Sequence, residues 1–395
     1  MSGQTAAVPR LVRDRTTWIV YGQIAVFGYF LYAFNPTVAL VRDENGYSRS
    51  IASLIGALFA LGAISGGLTA NRLVRRFGRG PLLRTGSALI VTGLVIYTVG
   101  GGLPVLLLGG FVASLGGTFV MVGGNAFLTD HHGPASPRAL TEAHGLATLA
   151  GLVGPLAIGA LVAVGLGWRA GLLASCALLV VVEVVRGRGL QEYDGPHGHP
   201  DDEPGHAPHG PLPRRFWPAL VIFACAVAVE FSLTLWGSDL LRDRAGLGEA
   251  AAAAALVTIV GGMAVGRLAG GPVVSRYGAE RVLLGTIALT FVGFVIAWLS
   301  GSPVPMLLGL VVTGLGLGLQ SPLAIGRAVS AAGGQVDRGA GLTSVAAGLA
   351  SGIAPFVLAS LADAVGVRTA FLLVPAILVT AVVLMRIWPE HPDGR

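Results

Sequence analysis

The sequence predicts an all-α membrane protein whose twelve spanning helices form two pseudo-symmetric six-helix bundles. Three observations predict it. Charge is scarce: 12% of the 395 residues are Asp, Glu, Lys or Arg and 53% are hydrophobic, where soluble proteins carry about 25% charged residues. Thr85–Thr129 and Val282–Gly326 run without a charged residue. Each holds two spans of about 20 residues, with a turn at Leu103-Pro104 or Ser302-Pro303. The chain also repeats itself at an offset of 200 residues: Arg76-Phe77-Gly78 returns as Arg276-Tyr277-Gly278, and Val41-Arg42-Asp43 as Leu241-Arg242-Asp243. Gly62, Gly66, Gly93, Gly109, Gly116, Pro155 and Arg186 find identical residues at the same offset. Two like apolar halves can rock about a site between them, which points to transport.

In chain order, a polar tail (1–16) carrying Arg10, Arg13 and Arg15 precedes the first bundle (17–187). The tail lacks the short apolar core and small-residue cleavage site of a removed signal. The first six spans are read as Thr17–Leu40, Ser50–Val74, Gly80–Gly101, Leu103–Thr129, Ala139–Val164 and Trp168–Val185. A linker (188–213) follows, with six prolines, four histidines and a run of acids. It has no apolar periodicity and is expected to be disordered. The second bundle (214–388) holds Phe216–Leu241, Gly248–Val274, Arg281–Ser300, Pro303–Gly326, Arg338–Ala364 and Thr369–Trp388, before a short tail (389–395). Several spans exceed 20 residues, which allows tilt. The 60 glycines suit membrane helices, where small residues let backbones approach.

The formal charge of +6 does not indicate nucleic acid, because the arginines sit between spans and not on one soluble face. Placing the N-terminus inside puts eighteen arginines on the inner side. The outer side then holds six: Arg42, Arg49, Arg169, Arg242, Arg244 and Arg368. The positive-inside rule thus predicts both tails and the linker to be cytoplasmic, in a multi-pass protein of the plasma membrane. Cys176 and Cys225 lie inside apolar spans, suggesting neither a disulfide framework nor a metal site.

Twelve spans in two halves joined by a polar loop resemble the major facilitator superfamily of secondary transporters. Its basic loop between spans two and three, Gly-x-x-x-Asp-Arg-x-Gly-Arg-Arg, is similar to Asn71-Arg72-Leu73-Val74-Arg75-Arg76-Phe77-Gly78-Arg79. A weaker copy is Gly271-Pro272-Val273-Val274-Ser275-Arg276-Tyr277-Gly278. Arg75 and Ser275 replace the family's Asp, so the charge relay attributed to it does not carry over. Gly151 through Gly159, with Gly154-Pro155, resembles the span-five element of family antiporters; Pro355 stands at the equivalent place in span eleven. An interior Pro permits a bend, and flanking glycines allow close contact with a neighbouring helix. The resemblance implies a gate shaped by Arg76, Gly78, Arg276 and Gly278, with Pro155 and Pro355 as bending points. It also implies a cavity lined by spans one, four, seven and ten. The matching residues are Tyr29, Tyr32, Asn35, Asn125, Glu230, Thr234, Trp236 and Gln320, each equally open to a helix–helix role.

Glu230 stands out on its own chemistry. A carboxylate near the middle of a span is costly unless protonated, paired or facing water, so the residue is read as a proton-coupling or substrate-binding group. A neutral structural carboxyl is the alternative. Arg267, inside span eight, either pairs with an acid across the bundle or snorkels inward. Arg327 and Glu183 read as interfacial. Asp130, His131, His132, Glu142 and His144 are either a solvated loop or an inner gate. The linker's His197, His199, Asp201, Asp202, Glu203, His206 and His209 lack fixed geometry for a metal. No phosphate loop is present, so no cofactor is expected, and transport is driven by an ion or solute gradient. The expected function is proton-coupled export of a small organic molecule by a monomer in the lipid bilayer. The alternatives are symport of a sugar or other polar solute and, in another class, a non-transporting receptor or scaffold. No nucleophile–base set or metal cluster suggests an enzyme.

Overall fold

The computed structural model describes residues 11–193, 211–333 and 335–389, and among them every regular element is helical. The first half holds α1 (Arg15–Asn45), α2 (Arg49–Phe77), α3 (Arg79–Val99), α4 (Leu103–His132), α5 (Ser136–Ala163) and α6 (Gly167–Arg186). The second holds α7 (Phe216–Ala245), α8 (Glu249–Ala255), α9 (Val257–Tyr277), α10 (Ala279–Leu299), α11 (Pro303–Ser330), α12 (Val336–Val365), α13 (Val367–Ala370) and α14 (Leu373–Ile387). These make twelve spans long and apolar enough to cross a membrane. Spans eight and twelve, expected as single helices, are each broken in two. The break before α14 follows from Pro375, which has no N–H for the Phe371 carbonyl and crowds it. Most helices also run a few residues past the apolar spans, since charged residues continue the helical ladder beyond the hydrocarbon.

The proximal end of the bundle carries both ends of the described chain, the distal end the α1–α2 and α7–α8 connections. Asp14 caps α1, accepting from the Thr17 N–H at 2.9 Å. Gly78 and Gly278, at φ 86° and 81°, turn α2 into α3 and α9 into α10; a side chain at either place would be strained. Close packing repeats as well. A Cβ on Gly62 would collide with the Phe111 carbonyl, and one on Gly262 with the Val311 carbonyl. Gly93 meets the Ala113 backbone as Gly293 meets that of Thr313. Both partners of each contact shift by the same 200 residues, so the repeat is a repeat of helix–helix contacts.

Inside this frame α1 and α7 are the most enclosed, with 78% and 67% of their central windows buried, against 33% for α2, α5 and α6. The halves meet along two seams. Gly348 and Gly352 of α12 pack on Ile64 and Ala60 of α2, and Gly159 of α5 packs on Ala250 and Ala254 of α8. The linker and its histidines and acids lie mainly outside the described residues. Its first residues are ordered: Leu190–Tyr193 forms a 3-10 turn, with Tyr193 buried 5.0 Å beneath the Arg186 guanidinium.

Candidate functional site

A polar cluster joins the two halves midway through the bundle. Glu230 of α7 accepts a hydrogen bond from the Ser321 hydroxyl of α11 at 3.2 Å. The Tyr32 phenol of α1 and the Arg267 guanidinium of α9 adjoin its carboxylate. Arg267 donates from Nε to the Gly318 carbonyl at 3.1 Å and from Nη1 to Thr148 Oγ1 of α5 at 3.5 Å. His144, one turn before Thr148, feels the Arg267 charge, and its Nε2 lies 3.2 Å from Asn125 Oδ1 of α4. Helices α1, α4 and α5 from one half thus meet α7, α9 and α11 from the other.

Local sequence builds this meeting place. Gly151 admits the Tyr32 ring, and Gly154 brings α5 against the α1 backbone at Ala33. The Gly-Pro element therefore seats Tyr32 and Thr148 beside the second half. Glu230 and Arg267 would each be expensive alone within a membrane, and together they offset that cost. Protonation of Glu230 would cancel the attraction, so the cluster has two chemically distinct states. Arg267 stays inside the bundle on the Gly318 carbonyl and the Thr148 hydroxyl, with its charge near Glu230 but without a direct ion pair among the described residues.

Other expected cavity residues have different partners. The Tyr29 hydroxyl donates to the Gly171 carbonyl at 2.8 Å, tying α1 to α6. Gln320 is 1% exposed and bonds the Thr286 carbonyl and Thr290 hydroxyl of α10 at 3.2 and 2.6 Å. Thr234 returns its hydroxyl to the Glu230 carbonyl of its own helix at 2.9 Å. Trp236 is buried toward the distal end, 5.7 Å from Arg42, and Asn35 is buried one turn beyond Tyr32. Tyr32, Asn125 and Glu230 are brought together; Tyr29 and Gln320 bond other helices, Thr234 bonds its own, and Trp236 lies near Arg42. Of the expected gate residues, Arg76 and Arg276 are exposed and stack over their neighbours Phe77 and Tyr277 at 5.2 and 5.3 Å.

The acids and histidines read as a loop form fixed contacts at the proximal end. Arg79 pairs with Asp130, His131 with Asp14 at 2.7 Å, and Arg13 with Glu142 at 2.6 Å. Burial alone would raise the Asp14 carboxyl, but hydrogen bonds from Thr17, Thr16 and His131 outweigh it and hold Asp14 well below the usual carboxylate range.

A second charged group, at the distal end, escaped the sequence reading. Asp239 of α7 is 3% exposed and pairs with Arg42 of α1 and with Arg49 of α2, the latter at 2.8 Å. Asp43 of α1 pairs with Arg242 of α7. Asp363 of α12 accepts the backbone N–H groups of Arg49 and Ser50 at 3.1 and 2.7 Å, capping α2 from the opposite half. The ion pairs that join the halves among the described residues gather here. The available signal was the repeated Arg-Asp at 42–43 and 242–243, where each span one or seven leaves the apolar layer.

Comparison with known proteins places this architecture. A model described as Major Facilitator Superfamily matches residues 20–270 and 246–395. An uncharacterized MFS-type transporter of Yersinia pestis is 24% identical over 319 residues, 79% of either chain. A bacterial homologue of the human lysosomal transporter Spinster, inward-facing and unoccupied, superposes with a TM-score of 0.73 at 14% identity, over 96% of this chain and 97% of that one. FucP in the outward conformation gives 0.60 at 16% identity, over 95% and 100%. At such identities the likeness to solved structures is one of fold.

Proposed function

The chain belongs to the Major Facilitator Superfamily, and on that premise we propose that it is a proton-coupled exporter of a small organic molecule, working by alternating access around Glu230. The observation that carries this reading is the cluster of Glu230, Arg267 and Tyr32, which has one titratable carboxyl and bridges both halves. With the termini cytoplasmic, the distal end is the outer one, and its ion pairs close the outer side. The halves 17–187 and 214–388 then act as the two rocking bodies, with the linker between them on the cytoplasmic side.

In this mechanism an ionised Glu230 accepts from Tyr32 of the other half and attracts Arg267, which reaches Thr148 there. A proton on Glu230 removes that attraction and loosens the tie across the central plane. The aromatic and hydroxyl groups nearby suit a small amphiphilic solute. In inverted vesicles, Glu230→Gln is expected to abolish proton-driven solute movement while solute counterflow persists. Coupled flux equal to wild type would refute the role of Glu230. Symport into the cell uses the same titrating carboxyl, and the direction of flux in those vesicles separates the two.

A further inference from the structure

The membrane-facing wall of the first half carries a groove of about 430 Å³ between α3 and α6, well away from the central cluster. Its α3 side is formed by Arg84, Ala88, Val91 and Thr92, a spacing that puts all four on one helix face. Val180, Glu183 and Val184 form the α6 side. The groove is therefore a trough with an apolar length and a polar head. Arg84 lies five residues inside α3 and Glu183 three before the end of α6. At about 1.5 Å per residue, both stand about 5–8 Å from the proximal helix ends, close enough to the membrane boundary for the long Arg84 side chain to snorkel to a lipid phosphate.

The polar head is built and positive. Glu183 accepts from Ser87 at 2.7 Å and pairs with Arg186 at 3.1 Å and Arg84 at 3.4 Å. Arg15 reaches the same corner, donating to the Val185 carbonyl at 2.6 Å. Two arginines thus pair with one glutamate, and a third lies beside them. Arg186 is wholly buried against Gln23 and Tyr193, but Arg84 remains 38% exposed beside the groove. The repeat shows that the fold does not require this group. At the offset of 200 residues, Arg84, Ser87 and Glu183 become Leu284, Ile287 and Val383. The second half packs its equivalent helices, α10 and α14, with apolar side chains there.

We infer that this groove is a binding site for an anionic phospholipid, its phosphate on Arg84 and one acyl chain along Ala88, Val91, Thr92, Val180 and Val184. Excess positive charge within reach of the headgroup layer selects the anionic headgroup, and the apolar trough selects a lipid over a free phosphate. Each basic residue at a membrane surface contributes about fivefold to attraction of anionic lipid.

The test uses the purified full chain with its bound lipid read by native mass spectrometry, titrated with phosphatidylglycerol, phosphatidylethanolamine or phosphatidylcholine of matched chains. Phosphatidylglycerol is expected to be retained about fivefold over the other two. Arg84→Leu, which copies the second half, brings the ratio close to one, and Arg84→Lys keeps most of it. Should Arg84→Leu fold poorly, Val91→Trp fills the trough with the charges intact and is expected to remove the retained lipid. Equal retention of the three lipids overturns the assignment. So does preference for phosphatidylethanolamine, or an unchanged phosphatidylglycerol ratio in both Arg84→Leu and Val91→Trp.

Discussion

A carboxylate within a membrane helix persists by keeping a proton or by keeping a cation, and Arg267 is the cation near Glu230. Removing that cation tests which state the fold tolerates. Breaking a buried pair costs about 3–5 kcal/mol when the remaining charge stays ionised, but Glu230 can take up a proton instead. Arg267→Met is therefore expected to fold, with Glu230 neutral throughout the cycle. Its solute flux should lose the pH dependence of wild type while counterflow persists, as read from initial rates between pH 5.5 and 8. At the helix start, Asp14 has the opposite preference. Its carboxyl is held below the unfolded value, so its contribution to stability is complete at neutral pH and is lost as pH falls below about 4. Asp14→Asn should thus melt lower than wild type at pH 7, and the gap should narrow on acidification. Glu230 was legible in the sequence because a charge in an apolar run is conspicuous. Ser321 and Thr148 were not, because a hydroxyl in a membrane helix usually bonds its own backbone, as Thr234 does. Gln320 looked like a ligand for the complementary reason: its partners, Thr286 and Thr290, lie on another helix.

Among elements, the glycines decide how closely helices approach. Gly62 and Gly67 lie on the same helix, yet a Cβ on Gly62 would strike the Phe111 carbonyl and one on Gly67 would meet nothing within 4 Å. Gly62→Leu is expected to destabilise by about 1–3 kcal/mol, as overpacking does, and Gly262→Leu by a similar amount. Gly67→Leu should melt like wild type in the same detergent. These contacts were legible, since both halves carry glycine at matching positions. The breaks in spans eight and twelve were hidden, because apolar composition marks a span and says little about continuity within it. The ordered turn at Leu190–Tyr193 was hidden by the polar residues that follow it.

For the whole molecule, the distal ion pairs bias one end of the bundle closed. Asp239 is buried between Arg42 and Arg49, so Asp239→Asn weakens two contacts between the halves at once. Double electron–electron resonance between spin labels at Phe77→Cys and Tyr277→Cys, with Cys176 and Cys225 replaced by alanine, reads the proximal opening. Phe77 and Tyr277 are 55% and 51% exposed and lie at the ends of α2 and α9. Asp239→Asn should add a shorter-distance population to that distribution, as the distal end opens and the proximal end closes. Opening and closing are not written in the repeat itself. On the proposed mechanism they arise where its symmetry fails, at Glu230 opposite Phe30 and at Asp239 opposite Ala39. The same label pair tests the central role of Glu230 most directly, by comparing pH 5.5 with pH 8 with and without Glu230→Gln. The account predicts a distance distribution that shifts with pH when Glu230 is present and stays fixed when it is replaced; an equal pH shift in both would contradict it.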